Sequence, residues 1–153
     1  MAAPWRSIRL EPEPFEPLQA LAAWHAALAT ALGALPAAES HFIGRVRPSS
    51  ASGEPLAALE LEHYPGMTEA QLQALAQAAA AQHGATAVLV HHRVGRVLPG
   101  EPIVLVAVAA DRRGPALRCG QELLEALKHE VPFWKREWLA DGRSSWVTGN
   151  TPL

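Results

Sequence analysis

Leu18, Leu21, Trp24, Leu28 and Leu32 recur at the three- and four-residue spacing that stacks side chains on one helix face, and Gly33 closes the run. Ahead of it, Arg6 to Leu10 is a short strand candidate. Glu11-Pro12-Glu13-Pro14 follows, and its prolines exclude a helix interior. A strand is predicted from His41 to Arg47, then a loop of small polar residues from Pro48 to Pro55. From Leu56 to Tyr64, Leu59 and Leu61 alternate with Glu60 and Glu62, which predicts a strand with one buried and one wet face. Pro65-Gly66 turns the chain. Thr68 with Gln71 three residues on has the form of a capping box, so a second helix is predicted from about Glu69 to Gln82, stopped by Gly84.

Ala87 to Val94 and Ile103 to Ala109 are apolar and β-branched, separated by Gly95 and Pro99-Gly100, and read as strands joined by a turn. A third helix is expected after Gly114-Pro115, running to about Glu130 with Leu117, Leu123, Leu124 and Leu127 on its buried face. Pro132 prevents its continuation. Phe133 to Leu139 and Ser145 to Val147 read as closing strands around an Asp141-Gly142 turn. The sum is one α+β domain over residues 1–153, a mainly antiparallel sheet with three helices and no internal repeat.

With 153 residues and 49% hydrophobic positions the chain can bury a real core. A formal charge of −2 and a pI near 6.4 supply no global basic field, which argues against nucleic acid or an anionic membrane as partner. No apolar run reaches the roughly 18 residues of a membrane span, and the start lacks a secretory apolar region, so a cytoplasmic location is expected. Cys119 is the sole cysteine, which excludes an intramolecular disulfide and a thiolate metal cluster. It reads as a small buried helix residue.

Charge becomes informative when the cations are located. Eleven arginines serve the chain, but its only two lysines, Lys128 and Lys135, bracket one segment that contains Pro132-Phe133-Trp134. An ammonium loses its proton readily when desolvated, so it can act as acid, base or nucleophile where a guanidinium cannot. Lys128 falls in the last turn of the third predicted helix. Alternation puts Phe133 and Lys135 on one strand face, Trp134 and Arg136 on the other. Two further basic clusters stand at Gly44-Arg45-Val46-Arg47 and at Asp111-Arg112-Arg113-Gly114, the latter just before a helix N-terminus that favours anions. Any one such cluster alone is ordinarily solvated surface.

Gly44-Arg45-Val46-Arg47, the run Leu59-Glu60-Leu61-Glu62-His63-Tyr64-Pro65-Gly66-Met67-Thr68, and Leu127-Lys128 with Pro132-Phe133-Trp134-Lys135-Arg136-Glu137 together resemble the large subunit of molybdopterin synthase, the MoaE family. His92-Arg93-Val94-Gly95 and Leu98-Pro99-Gly100-Glu101 are similar to that family's central hairpin, and the likeness covers roughly residues 7 to 148. The resemblance implies an α/β-hammerhead-like α+β fold and a partner-dependent sulfur transfer, with no cofactor in this subunit. A cyclic pyranopterin monophosphate would become molybdopterin, each dithiolene sulfur arriving as a thiocarboxylate on the tail of a small ubiquitin-like (MoaD-like) subunit. The assembly implied is a large-subunit homodimer within a heterotetramer. Lys128 and Lys135 match the family's active-site lysines, the first as proton-transfer or transient nucleophilic group, the second as the charge that positions substrate. Arg47, with Arg45 behind it across Val46, matches a strand arginine that contacts the anion. Arg113 matches a further pocket arginine, and Arg136 and Glu137 complete the run, where either could instead be a structural ion-pair partner.

Two departures touch this reading. Arg112 stands where the family commonly has histidine, replacing a proton carrier by a fixed cation, and Asn150 or its neighbours align where relatives can carry another arginine. The geometry of the helix adds a constraint. Fifteen residues separate Arg113 from Lys128, roughly 20 Å at 1.5 Å per residue, so one small substrate should take Lys128, Lys135 and Arg47 from one copy and Arg112 and Arg113 from its dimer mate. His91 and His92, adjacent on a strand, should face opposite sides, and His63 reads as a structural hydrogen-bonder. His129 could tune Lys128. No metal is expected. The rival readings are a binding module that docks the ubiquitin-like subunit without turnover and, more weakly, an RNA- or nucleotide-binding dimer.

Overall fold

The computed structural model describes residues 5–147. Its elements run β1 (Trp5–Glu11), α1 (Pro17–Leu32), β2 (Ala38–Arg45), β3 (Leu56–His63), α2 (Met67–His83), β4 (Ala87–Arg93), β5 (Gly95–Val97), β6 (Pro102–Ala110), α3 (Arg113–His129), β7 (Phe133–Leu139) and β8 (Ser144–Trp146). The expected α+β class with three helices holds, but the strands divide into two sheets rather than one, ordered β1-β4-β6-β2 and β5-β3-β7-β8. Every strand pair is antiparallel except β1 with β4.

The first sheet is covered on both faces, which is why β4 reads as a continuous apolar run instead of an alternating one. Leu21, Trp24 and Leu28 of α1 pack on Ala87, Leu89, Leu105, Ala107 and Ala109. On the opposite face Leu72, Ala76, Ala79 and Ala80 of α2 and Cys119, Leu123 and Leu127 of α3 cover Val88, Val90, Val106 and Val108. Burying a leucine such as Leu28 or Leu123 contributes about 2 kcal/mol by area. Gly120 lets α3 lie close on β2, since a Cβ there would meet Ser40 Oγ at 2.8 Å. The second sheet has a small core of Val46, Leu59, Leu61 and Val97.

Several expectations are corrected. Leu18 and Leu32 cap the α1 stripe but are exposed, and Leu117 is exposed on α3, where Ala116, Cys119 and Gly120 face the sheet. The helix begins at Arg113, two residues before Pro115. Strand β2 starts earlier than His41 and ends at Arg45, because a register shift between Gly44 and Arg45 breaks its ladder with β6. Val46 instead exchanges backbone bonds with the Gly100–Glu101 turn: its N–H donates to Glu101 O at 3.0 Å, and its carbonyl accepts from Gly100 N at 2.8 Å. β5, unforeseen, is too short to show a period; it pairs with β3 and carries the chain from one sheet to the other. Among the described residues no helix is long and apolar enough to cross a membrane.

Candidate active site

Lys128 and Lys135 meet in one hollow, of about 130 Å³, lined also by Leu127, Val131, Phe133, Trp134, Trp146 and Val147. The local fold explains the meeting. Lys128 is the penultimate residue of α3, and the chain reverses through Glu130–Pro132 into β7, where Lys135 lies opposite Leu61 of β3 and so points to the inner face of the second sheet. Phe133 shares that face, and Trp134 and Arg136 take the other, as the alternation predicts. Trp134 sets its ring edge-on to Tyr64 at 4.6 Å.

The reversal is held by two side chains of α2. Gln71 Nε2 donates to Glu130 O at 2.8 Å, satisfying one of the carbonyls that a helix end leaves open. Thr68 is fully buried; its hydroxyl accepts from Tyr64 N at 3.0 Å and donates to Pro132 O at 3.3 Å. The predicted Thr68/Gln71 capping box is therefore not what these residues form. The cap sits two residues earlier at Gly66, whose N–H donates to Glu69 Oε1 at 3.0 Å. Gly66 has φ +84°, a conformation that a side chain disfavours.

Electrostatically the hollow is set for anions. Burial, and then the neighbouring Lys128 charge, hold the Lys135 amine below its ordinary pKa. Behind Phe133 lies His92, its ring stacked on the phenyl at 4.1 Å and 12°, with Nδ1 2.8 Å from Arg93 O, which assigns the proton to that nitrogen. Burial brings the His92 pKa down to about 4, against the Arg93 hydrogen bond and helped by the Lys135 charge. This imidazole stays neutral and backs Phe133, which lines the hollow, a role that nothing in the sequence signals because Phe133 is distant in the chain. His91 turns to the opposite side of β4, near Glu11 at 3.5 Å and Phe15, so the two histidines do part as expected. His129 lies 3.4 Å from Glu125.

The other predicted residues lie elsewhere. Arg112 is the N-cap of α3 and Arg113 its first residue, and with Arg118, Asp111, Ala37 and Ala38 they line a separate open hollow of about 620 Å³. Arg45 and Arg47 are exposed and line neither hollow. Val46 is core, and its backbone is engaged, so it separates the two arginines rather than facing a ligand. Arg136 is on the outer face, its guanidinium over Trp138 at 4.5 Å and Trp146 at 5.3 Å, with Nε donating to Ser144 Oγ at 3.1 Å, the geometry of a structural cation. Glu137 shares the face of Lys135, opposite Leu59. Cys119 is buried as expected, and burial raises its thiol pKa to about 11. Asn150 lies outside the described residues.

The chain is similar to known proteins in both sequence and fold. Residues 11–130 match the family model described as MoaE protein. A molybdopterin synthase catalytic subunit of Ralstonia nicotianae is 44% identical over 110 residues, covering 72% of this chain and 61% of that relative. The chain thus spans less than two thirds of the length of that relative. One of Pseudomonas aeruginosa is 38% identical over 143 residues, covering 94% of this chain and 91% of the relative. Among solved structures, the molybdopterin biosynthesis MoaE protein from Burkholderia ambifaria MC40-6 superposes with a TM-score of 0.74 at 39% identity, covering 93% of this chain and 88% of that one.

Proposed function

The chain belongs to the MoaE family, and from that premise we propose that it is the catalytic subunit of a molybdopterin synthase. It would take sulfur from the thiocarboxylated C-terminus of a small ubiquitin-like subunit and place it on cyclic pyranopterin monophosphate, forming the dithiolene of molybdopterin. The relatives from Ralstonia nicotianae and Pseudomonas aeruginosa, 44% and 38% identical over the aligned residues, are named molybdopterin synthase catalytic subunits. The observation that carries the reading is the pairing of this chain's only two lysines in one hollow, where burial first and the Lys128 charge second lower the Lys135 pKa. Both the phosphate of the substrate and the tail of the partner are anions, and an ammonium in a poorly hydrated site holds an anion far more strongly than one in water. Lys128, at the rim formed by the helix end, handles the proton or the incoming acyl group, and Lys135 fixes the substrate's charge.

A hollow of about 130 Å³ is small beside the roughly 300 Å³ at which small-molecule pockets begin, which fits a site completed by a second surface. We assign that surface to a dimer mate supplying Arg112 and Arg113, inside a heterotetramer with one small subunit on each large one. The fixed charge of Arg112 then serves binding, and proton movement falls to the lysines. A cytoplasmic location goes with this reading.

The test is conversion of cyclic pyranopterin monophosphate by the protein mixed with thiocarboxylated small subunit. Lys128→Ala and Lys135→Ala should each lower turnover by about 100-fold or more while the circular dichroism spectrum is unchanged. Docking of the small subunit without any product from the unaltered protein would mark a binding module and overturn the proposal.

A further inference from the structure

His25 of α1 and Glu39 and His41 of β2 converge on the face of the first sheet away from α3. His25 Nε2 lies 2.6 Å and His41 Nε2 2.9 Å from the same oxygen, Glu39 Oε1. The ligand atoms of all three lie within 4.8 Å of one another. Glu39 and His41 stand two apart on the strand and so share a face, whereas Ser40 between them points the other way and donates to Ala116 O at 2.7 Å on α3. The His25 ring is backed by Trp24, stacked at 5.9 Å and 29°. The carboxylate is mostly covered, at 19% exposure, while the histidines are about one third exposed.

We propose that His25, Glu39 and His41 form a three-ligand site for one divalent transition-metal ion, with Zn²⁺ the preferred occupant and the fourth position open to water. Two imidazoles and one carboxylate make a borderline donor set suited to zinc, nickel or copper and ill-suited to calcium or magnesium. An ion bonded to each donor at about 2.0–2.2 Å in tetrahedral geometry sets donors about 3.3 Å apart. The present separations from Glu39 fall short of that by less than an ångström, within the reach of side-chain rotation from fixed backbones. The bound ion would clamp α1 to the outermost strand of the first sheet, where β2 has a neighbour on one side only. None of the three lines either cationic hollow, so this site is independent of the lysine chemistry.

The test uses untagged full-length protein stripped with chelator. Titration with Co²⁺ should give visible d–d absorption saturating at one ion per chain, displaced by Zn²⁺. Zinc should raise the melting temperature, and calcium should not. Glu39→Gln and the double variant His25→Gln with His41→Gln, each checked for native circular dichroism, should abolish both effects and leave turnover unchanged. Absent cobalt absorption, or binding equally strong in all variants, would mean a histidine–carboxylate ion-pair cluster only and would overturn the site.

Discussion

An amine buried beside a second amine is held there against its own solvation. The folded pKa of Lys135 lies below its ordinary 10.5, for burial first and the Lys128 charge second. Between the lowered folded value and the unfolded value the unfolded chain binds more protons, so stability rises with pH across that window, and at neutral pH the protonated amine is a destabilising element. Lys135→Met should therefore raise the melting temperature by about 2 °C, read by calorimetry, while turnover is lost. In Lys128→Met the Lys135 amine should titrate at higher pH than in the parent protein, as followed by NMR of its side chain. His92 makes the same demand on pH in a lower window. Its pKa falls from 6.5 unfolded to about 4 folded, so its neutral ring contributes stability above pH 6.5 that is lost as pH falls toward 4. At about 1.4 kcal/mol per unit the loss amounts to about 3 kcal/mol. Denaturation at pH 7.5 and pH 4.5 should show a smaller difference in His92→Leu than in the parent.

At the scale of elements, the site depends on a helix that does not enter it. The α2 side chains Gln71 and Thr68 grip the carbonyls of Glu130 and Pro132, the reversal that sets Lys128 of α3 against Lys135 of β7. Gln71 is exposed, so Gln71→Ala should cost only about 1 kcal/mol of stability. It should nonetheless lower kcat by about tenfold, since a small misplacement of catalytic groups is expensive. A melting curve together with steady-state kinetics checks both halves. This linkage also shows where the sequence was legible. The Leu59–Glu62 alternation, the Leu21-Trp24-Leu28 stripe and the Phe133–Lys135 face carry their period locally, and each stands in the structure where that period puts it. Thr68 and Gln71 matched a local motif but are recruited by a segment some sixty residues on, and three-residue β5 has no room for a period. The early end of β2 at Arg45 was hidden for a similar reason, because the register shift after Gly44 lies in its pairing with β6 and not in the strand itself. Neither His92 behind Phe133 nor the convergence of His25 with His41 could be read from spacing, since both arise from tertiary packing.

At the scale of the molecule, the two cationic hollows stand at opposite ends of α3, Arg113 being its first residue and Lys128 its last but one. The rigid helix keeps them roughly 20 Å apart, so no side-chain motion within one chain joins them on a small substrate. Two-fold pairing of copies can do so, where an isologous interface sets the arginine end of each chain against the lysine end of the other. Such a shared pocket makes a prediction that no single-chain pocket makes. Lys128→Ala and Arg113→Ala should each be nearly inactive as a homodimer. Unfolded together and refolded as an equimolar mixture, they form hybrids in half of the dimers, and each hybrid holds one pocket with both native residues and one with neither. Activity should then return to about a quarter of the parent's, the statistical share for a two-fold dimer. If each pocket belonged to one chain, every pocket in the mixture would carry one defect and activity would stay at the level of the inactive parents, which a product assay before and after refolding distinguishes.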